Sequence, residues 1–193
     1  MLEYYLRPSF QKVCVDPLAM RLAFRVSPKT ITYMAGLCGV LVAPMIVIGF
    51  NAIAVGLLLI SGYLDTLDGS IARLASEDSQ KGTVLDIVFD RVVEFFVIVG
   101  LFAVEPERAW YIIFMLGSVL ICITSFLVVG IFTENQSKKG FHYSLGLIER
   151  FEAFMFFIAM ILFPEYFKPL ACFFIILVLL SAFLHVNRFL QNK

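Results

Sequence analysis

The stretch DTLDGSIARLASEDSQKGTVLDIVFD, residues 65–90, decides how the rest of the chain is read. It places Asp65, Asp68, Asp86 and Asp90 between segments oily enough for a membrane. Asp65, Asp68 and Ala72 fall at i, i+3 and i+7, which is one face of a helix. Gly82, Asp86 and Asp90 fall at i, i+4 and i+8, again one face. The short link at 74–81 makes the two helices antiparallel neighbours, with Glu77 and Asp78 left in the connection. The spacing therefore predicts two stripes of carboxylates that face each other.

Outward from that stretch, composition bounds the surroundings. The chain has 193 residues, 61% of them hydrophobic and 16% charged, with a mean hydropathy of +0.92. A soluble domain is about half apolar and about a quarter charged, so this is expected to be a polytopic, all-α membrane protein. The formal net charge is zero, which gives no reason to expect a nucleic-acid partner. Cys14, Cys38, Cys122 and Cys172 are scattered without a CxxC pair and read as small hydrophobes, not as disulfides or metal ligands. The N-terminus lacks the clean apolar core of a signal peptide, because Pro8 and Pro17 interrupt it.

A bilayer core of about 30 Å takes roughly 20 apolar residues as helix. By that measure six membrane spans are expected, near 31–50, 51–75, 82–104, 109–133, 145–164 and 167–189. Threading them puts residues 1–30, 74–81, 134–144 and 189–193 on one side, together with the charged ends of the second, third and fifth spans. The opposite loops carry only Arg108 and Lys168 as basic residues. Cytoplasmic loops are enriched in Lys and Arg, so both termini and the aspartates are expected on the cytoplasmic side, in the inner membrane of a prokaryote. Residues 1–26 mix apolar residues with Arg7, Lys12, Arg21 and Arg25, and read as a juxtamembrane amphipathic helix lying on the leaflet. Ser27 and Pro28 suit the cap and first position of the first span. Residues 27–193 then form a six-helix core, and 1–193 is read as a single domain.

Charges near a bilayer are expensive and usually functional. Four carboxylates in one small space repel, and Arg73 and Arg91 are too few to neutralise them. Oxygen ligands of this kind suit hard divalent cations, Mg2+ or Mn2+, and the absence of nearby His or Cys argues against zinc. Four carboxylates suit a pair of such cations about 4 Å apart gripping a phosphoryl group. Gly69, Ala72 and Gly82 lie on the same faces and leave room for a ligand to approach the backbone. Helix packing accounts for the two glycines equally well. Arg73 adds a fixed cation suited to phosphate oxygens.

The full pattern, DxxDGxxAR, eight residues, then GxxxDxxxD, resembles the signature of the CDP-alcohol phosphotransferase (CDP-alcohol phosphatidyltransferase) family. Asp65, Asp68, Gly69, Ala72, Arg73, Gly82, Asp86 and Asp90 occupy its defined positions with the spacing intact. The six-span layout with a preceding amphipathic helix also resembles the family's core. The resemblance implies an enzyme of phospholipid synthesis that displaces CMP from a CDP-linked alcohol with the hydroxyl of a second alcohol. By this likeness Asp65, Asp68 and Asp86 ligate the metals, and Asp90 shares in ligation or acts as the base. Asp68, Gly69, Ala72, Arg73 and Gly82 hold the CDP moiety, and the protein is a homodimer. Family members often carry Pro-Asn at the start of the first span; Pro28-Lys29 stands here, so no nucleotide contact is assigned to that position.

The acceptor is less legible. Lys138, Lys139 and His142 lead into LGLIERFE, where Arg150 is flanked by Glu149 and Glu152, and Arg188 follows in the last span. Lys139 and Arg150 are candidates to grip an anionic acceptor such as glycerol 3-phosphate or inositol phosphate. The same lysines and Arg188 also satisfy the positive-inside rule, and Arg150 has glutamates to pair with. An uncharged acceptor such as serine stays open, as does a CDP-alcohol donor with diacylglycerol. His142 and His185 read as polar residues near helix ends. Two rival readings fare worse. A prenyltransferase with Asp-rich magnesium motifs usually has more spans, and a cation transporter would place its carboxylates nearer the bilayer midplane.

Overall fold

The computed structural model describes residues 10–23, 25–75, 80–133 and 147–191, and among these every regular element is a helix. A π-helical turn, Gln11–Val15, leads into α1 (Asp16–Leu22). Then come α2 (Pro28–Val47), α3 (Asn51–Leu74), α4 (Gln80–Val104), α5 (Ala109–Phe132), α6 (Arg150–Leu162) and α7 (Phe167–Gln191). The chain divides into two compact units, Leu2–Val104 and Glu105–Lys193.

In the first unit, α2 begins where Pro28 presets helical backbone. Ser27 stands at the cap position in extended backbone, but its side chain makes no capping bond, contrary to expectation. Its carbonyl instead accepts from the Thr30 N–H at 3.0 Å. At the other end the chain reverses at Gly49, whose φ of +83° suits a residue without a β-carbon. The Gly49 N–H reaches Ile46 O at 3.1 Å and the Phe50 N–H reaches Met45 O at 2.8 Å, closing the last turn of α2 before α3 starts.

α2 packs against α4 along small residues. A β-carbon at Gly36 would overlap the ring of Phe89, and one at Gly39 would overlap the side chain of Val93. At Gly100 it would come 2.9 Å from Cα of Ala43. The three pairs advance together along both helices, so α2 and α4 run parallel with their backbones close, as small residues permit in membranes.

α1 docks on α3. Val15, Ala19 and Ala23 join Ile31, Leu67 and Ile71 in one buried cluster. Two polar contacts fasten the same junction. The Tyr63 hydroxyl donates to Cys14 O at 2.9 Å, and Gln11 Nε2 donates to Ser70 Oγ at 3.3 Å. Phe10, Val13 and Met20 stay exposed on the outer side.

The second unit is organised around two polar joints. Arg108, expected as a loop cation, is buried instead. It pairs with Glu105 at 2.6 Å, donates to Pro164 O at 3.3 Å and lies 4.2 Å over the Phe167 ring. It thus ties the turn before α5 to the turn before α7. The other joint is Ser181 of α7, fully buried. Its Oγ accepts from the Leu147 and Ile148 N–H groups at 3.0 and 3.1 Å and donates to Leu177 O at 3.0 Å. Phe157 of α6 and Phe174 of α7 fill the apolar space, with ring centroids 5.5 Å apart.

Among the described residues, four helices are long and apolar enough to cross a membrane: Pro28–Val47, Asn51–Leu74, Pro106–Phe132 and Pro164–Gln191. The other two expected spans differ for identifiable reasons. α4 has 25 residues, but Asp90, Arg91 and Glu94 sit within its more apolar part. α6 has 13 residues, about 20 Å of helix, against a hydrocarbon core of about 30 Å.

Candidate active site

The two carboxylate stripes meet. Asp65 and Asp68 project from α3 and Asp86 from α4, and one oxygen of each lies within 4.8 Å of the others. Asp86 is within hydrogen-bonding reach of Asp65 and also interacts electrostatically with Asp90 and Asp68. The helical spacing of the sequence accounts for part of this: i, i+3 puts Asp65 and Asp68 on one face of α3, where Asp86 of the neighbouring helix meets them. Ionised carboxylates at that separation require a proton or a cation between them. The donor set consists of carboxylate oxygens without nitrogen or sulfur, and it is partly buried. That chemistry fits a hard divalent cation.

Around the aspartates the motif residues divide by role. Gly69 has an open face: a β-carbon there would meet only Arg73 Nη1, at an ordinary 3.5 Å. Helix packing inside this unit therefore gives no reason for a glycine at 69, unlike Gly36, Gly39 and Gly100. Arg73 is exposed and donates to Ser70 Oγ at 3.0 Å, the same oxygen that takes Gln11. Ala72 and Gly82 are partly buried on their helices. Arg91 pairs with the buried Glu94 at 2.8 Å.

One close partner of the cluster was not legible in the sequence. Thr32 of α2 donates through Oγ1 to Asp68 Oδ2 at 2.5 Å, in a buried bond between residues 36 positions apart. No local pattern signals it, because the partner lies on another helix.

Of the acceptor candidates, Lys138, Lys139 and His142 lie outside the described residues, as do Glu77 and Asp78 of the connection. Arg150 opens α6, with its guanidinium 5.2 Å from the Phe154 ring. The glutamates beside it serve the helix start. Glu149 accepts from the backbone of Glu152, and the Glu149 N–H donates to Glu152 Oε2 at 3.2 Å, a reciprocal cap. His185 is buried in α7, its ring 5.9 Å from that of Phe126.

Comparison with known proteins decides the family. The family model for CDP-alcohol phosphatidyltransferase matches residues 25–187, which includes the entire aspartate motif. The chain belongs to the CDP-alcohol phosphatidyltransferase family. It is similar to the inner membrane protein YnjF of Escherichia coli (strain K12), with 27% identity over 179 residues, covering 86% of this chain and 84% of that relative. Its fold is similar to that of the Mycobacterium tuberculosis phosphatidylinositol phosphate synthase PgsA1, whose crystal structure has CDP-DAG bound. The TM-score is 0.69 at 18% identity, over 91% of each chain. As a CDP-alcohol phosphatidyltransferase this integral membrane protein is an enzyme of phospholipid synthesis that releases CMP. The prenyltransferase and cation-transporter readings are thereby set aside.

Proposed function

We propose that the enzyme transfers a phosphatidyl group from CDP-diacylglycerol to a polar alcohol bearing a phosphate, such as glycerol 3-phosphate or inositol phosphate, and releases CMP. The observation that carries this reading is the meeting of Asp65, Asp68 and Asp86 within 4.8 Å.

In this reading Asp65, Asp68, Asp86 and Asp90 hold two divalent cations, Mg2+ or Mn2+. Such cations, when bound, offset the charge of a diphosphate and the charge developing on departing CMP. Arg73 presents its guanidinium to the phosphate oxygens. Asp68, Gly69, Ala72, Arg73 and Gly82 together cradle the CDP moiety, with Gly69 letting it approach the backbone. Asp90 accepts the proton of the acceptor hydroxyl. The hydroxyl oxygen bonds to the lipid-linked phosphorus, and the bond from that phosphorus to the CMP oxygen breaks with its electron pair leaving on CMP. Lys139 and Arg150 bind the acceptor's phosphate.

The membrane arrangement extends this proposal. α4 and α6 cross with the four apolar helices to make six passes, and α1 lies on the leaflet as an amphipathic helix. Both termini and the aspartates lie on the cytoplasmic side of an inner membrane, in line with the Lys and Arg distribution. The family match runs through both compact units, which supports one domain over 1–193. The homodimer follows from family resemblance.

The test is purified protein in detergent with CDP-diacylglycerol, Mg2+ or Mn2+, and a panel of acceptors, following CMP release. CMP release with a phosphorylated acceptor, lost on Arg150→Ala, supports the reading. Release only with an uncharged alcohol such as serine removes the cationic acceptor site. Release from a CDP-alcohol in the presence of diacylglycerol, and none from CDP-diacylglycerol, reverses donor and acceptor.

A further inference from the structure

We propose that Thr32 is a positioning residue that sets the carboxylate of Asp68 for cation binding, from a helix that carries none of the four motif aspartates. The proposal rests on the reading of the aspartates as metal ligands.

Three observations carry it. The Thr32–Asp68 bond is short, 2.5 Å, and a hydroxyl donating to a carboxylate is a charge-assisted bond. It is sheltered, since each residue is only 7% exposed, so water does not replace it readily. Its geometry is also fixed from the α2 side. Thr32 Oγ1 stands 3.1 Å from Pro28 O, one turn back, which is the rotamer that lets a helical threonine face its own preceding carbonyl. The β-branched side chain is stiff about χ1. A hydroxyl has one proton, and of the two acceptors the carboxylate is nearer.

The consequence is mechanical. A carboxylate turns easily about its last torsion, and a ligand that turns loses orientation toward its metal. Thr32 holds one oxygen of Asp68 and so fixes the plane in which the other points. Partners of this kind orient ligands at metal sites, and losing one typically weakens metal binding about 10- to 100-fold.

The experiment titrates Mn2+ alone into purified full-length protein in detergent and reads free Mn2+ by electron paramagnetic resonance. Thr32→Val keeps the shape of the side chain and removes the hydroxyl. Thr32→Ser keeps the hydroxyl. The expected result is a Kd for Mn2+ raised at least about tenfold in Thr32→Val, with Thr32→Ser close to the parent protein. If Thr32→Val does not yield folded protein, Thr32→Ala against Thr32→Ser makes the same comparison. Unchanged Mn2+ affinity in folded Thr32→Val or Thr32→Ala overturns the role of Thr32 while leaving the metal site intact. A weakening as large in Thr32→Ser as in Thr32→Val also overturns it, since the hydroxyl would then not be what matters. Absence of Mn2+ binding in the parent protein overturns the metal reading itself, and this proposal with it.

Discussion

Gly36 of α2 stands where the ring of Phe89 of α4 rests, and no side chain larger than hydrogen fits between them. Phe89 also packs edge-on against Tyr33, with centroids 5.5 Å apart. It directly precedes Asp90 and lies three residues after Asp86, so this contact sets how α4 presents its carboxylates.

Gly36→Ala should therefore disturb both stability and function. Overpacking a close contact costs about 1–3 kcal/mol, which should lower the midpoint of thermal unfolding in detergent and reduce CMP release. Adding Phe89→Leu should recover part of both losses. If the two substitutions simply add, the Gly36–Phe89 contact is not the cause.

Gly69→Ala should do the opposite to stability. A helical glycine replaced by alanine gains about 0.5–1 kcal/mol, and nothing in the first unit obstructs the added methyl group. Thermal unfolding should thus be unchanged or slightly raised, while KM for the CDP substrate rises at least about tenfold, equivalent to about 1.4 kcal/mol of binding. A destabilised protein with parental KM would make Gly69 a packing residue.

Asp86→Asn and Asp90→Asn should separate ligand from base. Asp86→Asn breaks the three-carboxylate group and should abolish Mn2+ binding and CMP release together. Asp90→Asn should weaken Mn2+ binding less than Asp86→Asn does, while lowering kcat by about 10²- to 10⁴-fold, the span usual for a lost general base. Near-parental turnover of folded Asp90→Asn would assign the proton to another acceptor.

Ser181→Ala should weaken the second unit. Its hydroxyl takes two backbone N–H groups ahead of α6, and a buried donor left without an acceptor costs about 1–3 kcal/mol. A lower unfolding midpoint is expected, with Ser181→Thr as the milder change. An unchanged midpoint in Ser181→Ala would mean that the Leu147 and Ile148 amides find other acceptors.

What the sequence disclosed follows from the range of each interaction. The two carboxylate stripes were legible because helical periodicity is local, and the short connection forces α3 and α4 to be neighbours. The Gly49 reversal between α2 and α3 sits where the apolar runs meet. The Arg91–Glu94 pair is likewise local, one turn apart on α4. Arg108 was read as a surface cation because its carbonyl and ring partners, Pro164 and Phe167, lie more than 50 positions along the chain. Thr32 and Ser181 escaped for the same reason: a hydroxyl has no periodicity of its own, and only the packed helices show what it touches. Among the described residues, length and apolarity mark four of the six expected spans; α4 and α6 do not meet that measure because charge and length pull apart there.

α2 holds Asp68 through Thr32 and seats Phe89 beside Asp90 through Gly36. It thereby touches Asp68 on α3 and the residue next to Asp90 on α4 while contributing no carboxylate to the centre. In a map of tolerated substitutions scored by growth on the enzyme's product, its inner face should look as intolerant as that of α3 or α4. A search for catalytic residues based on such a map alone would place α2 among the reacting helices, when its part is to hold the other two in register.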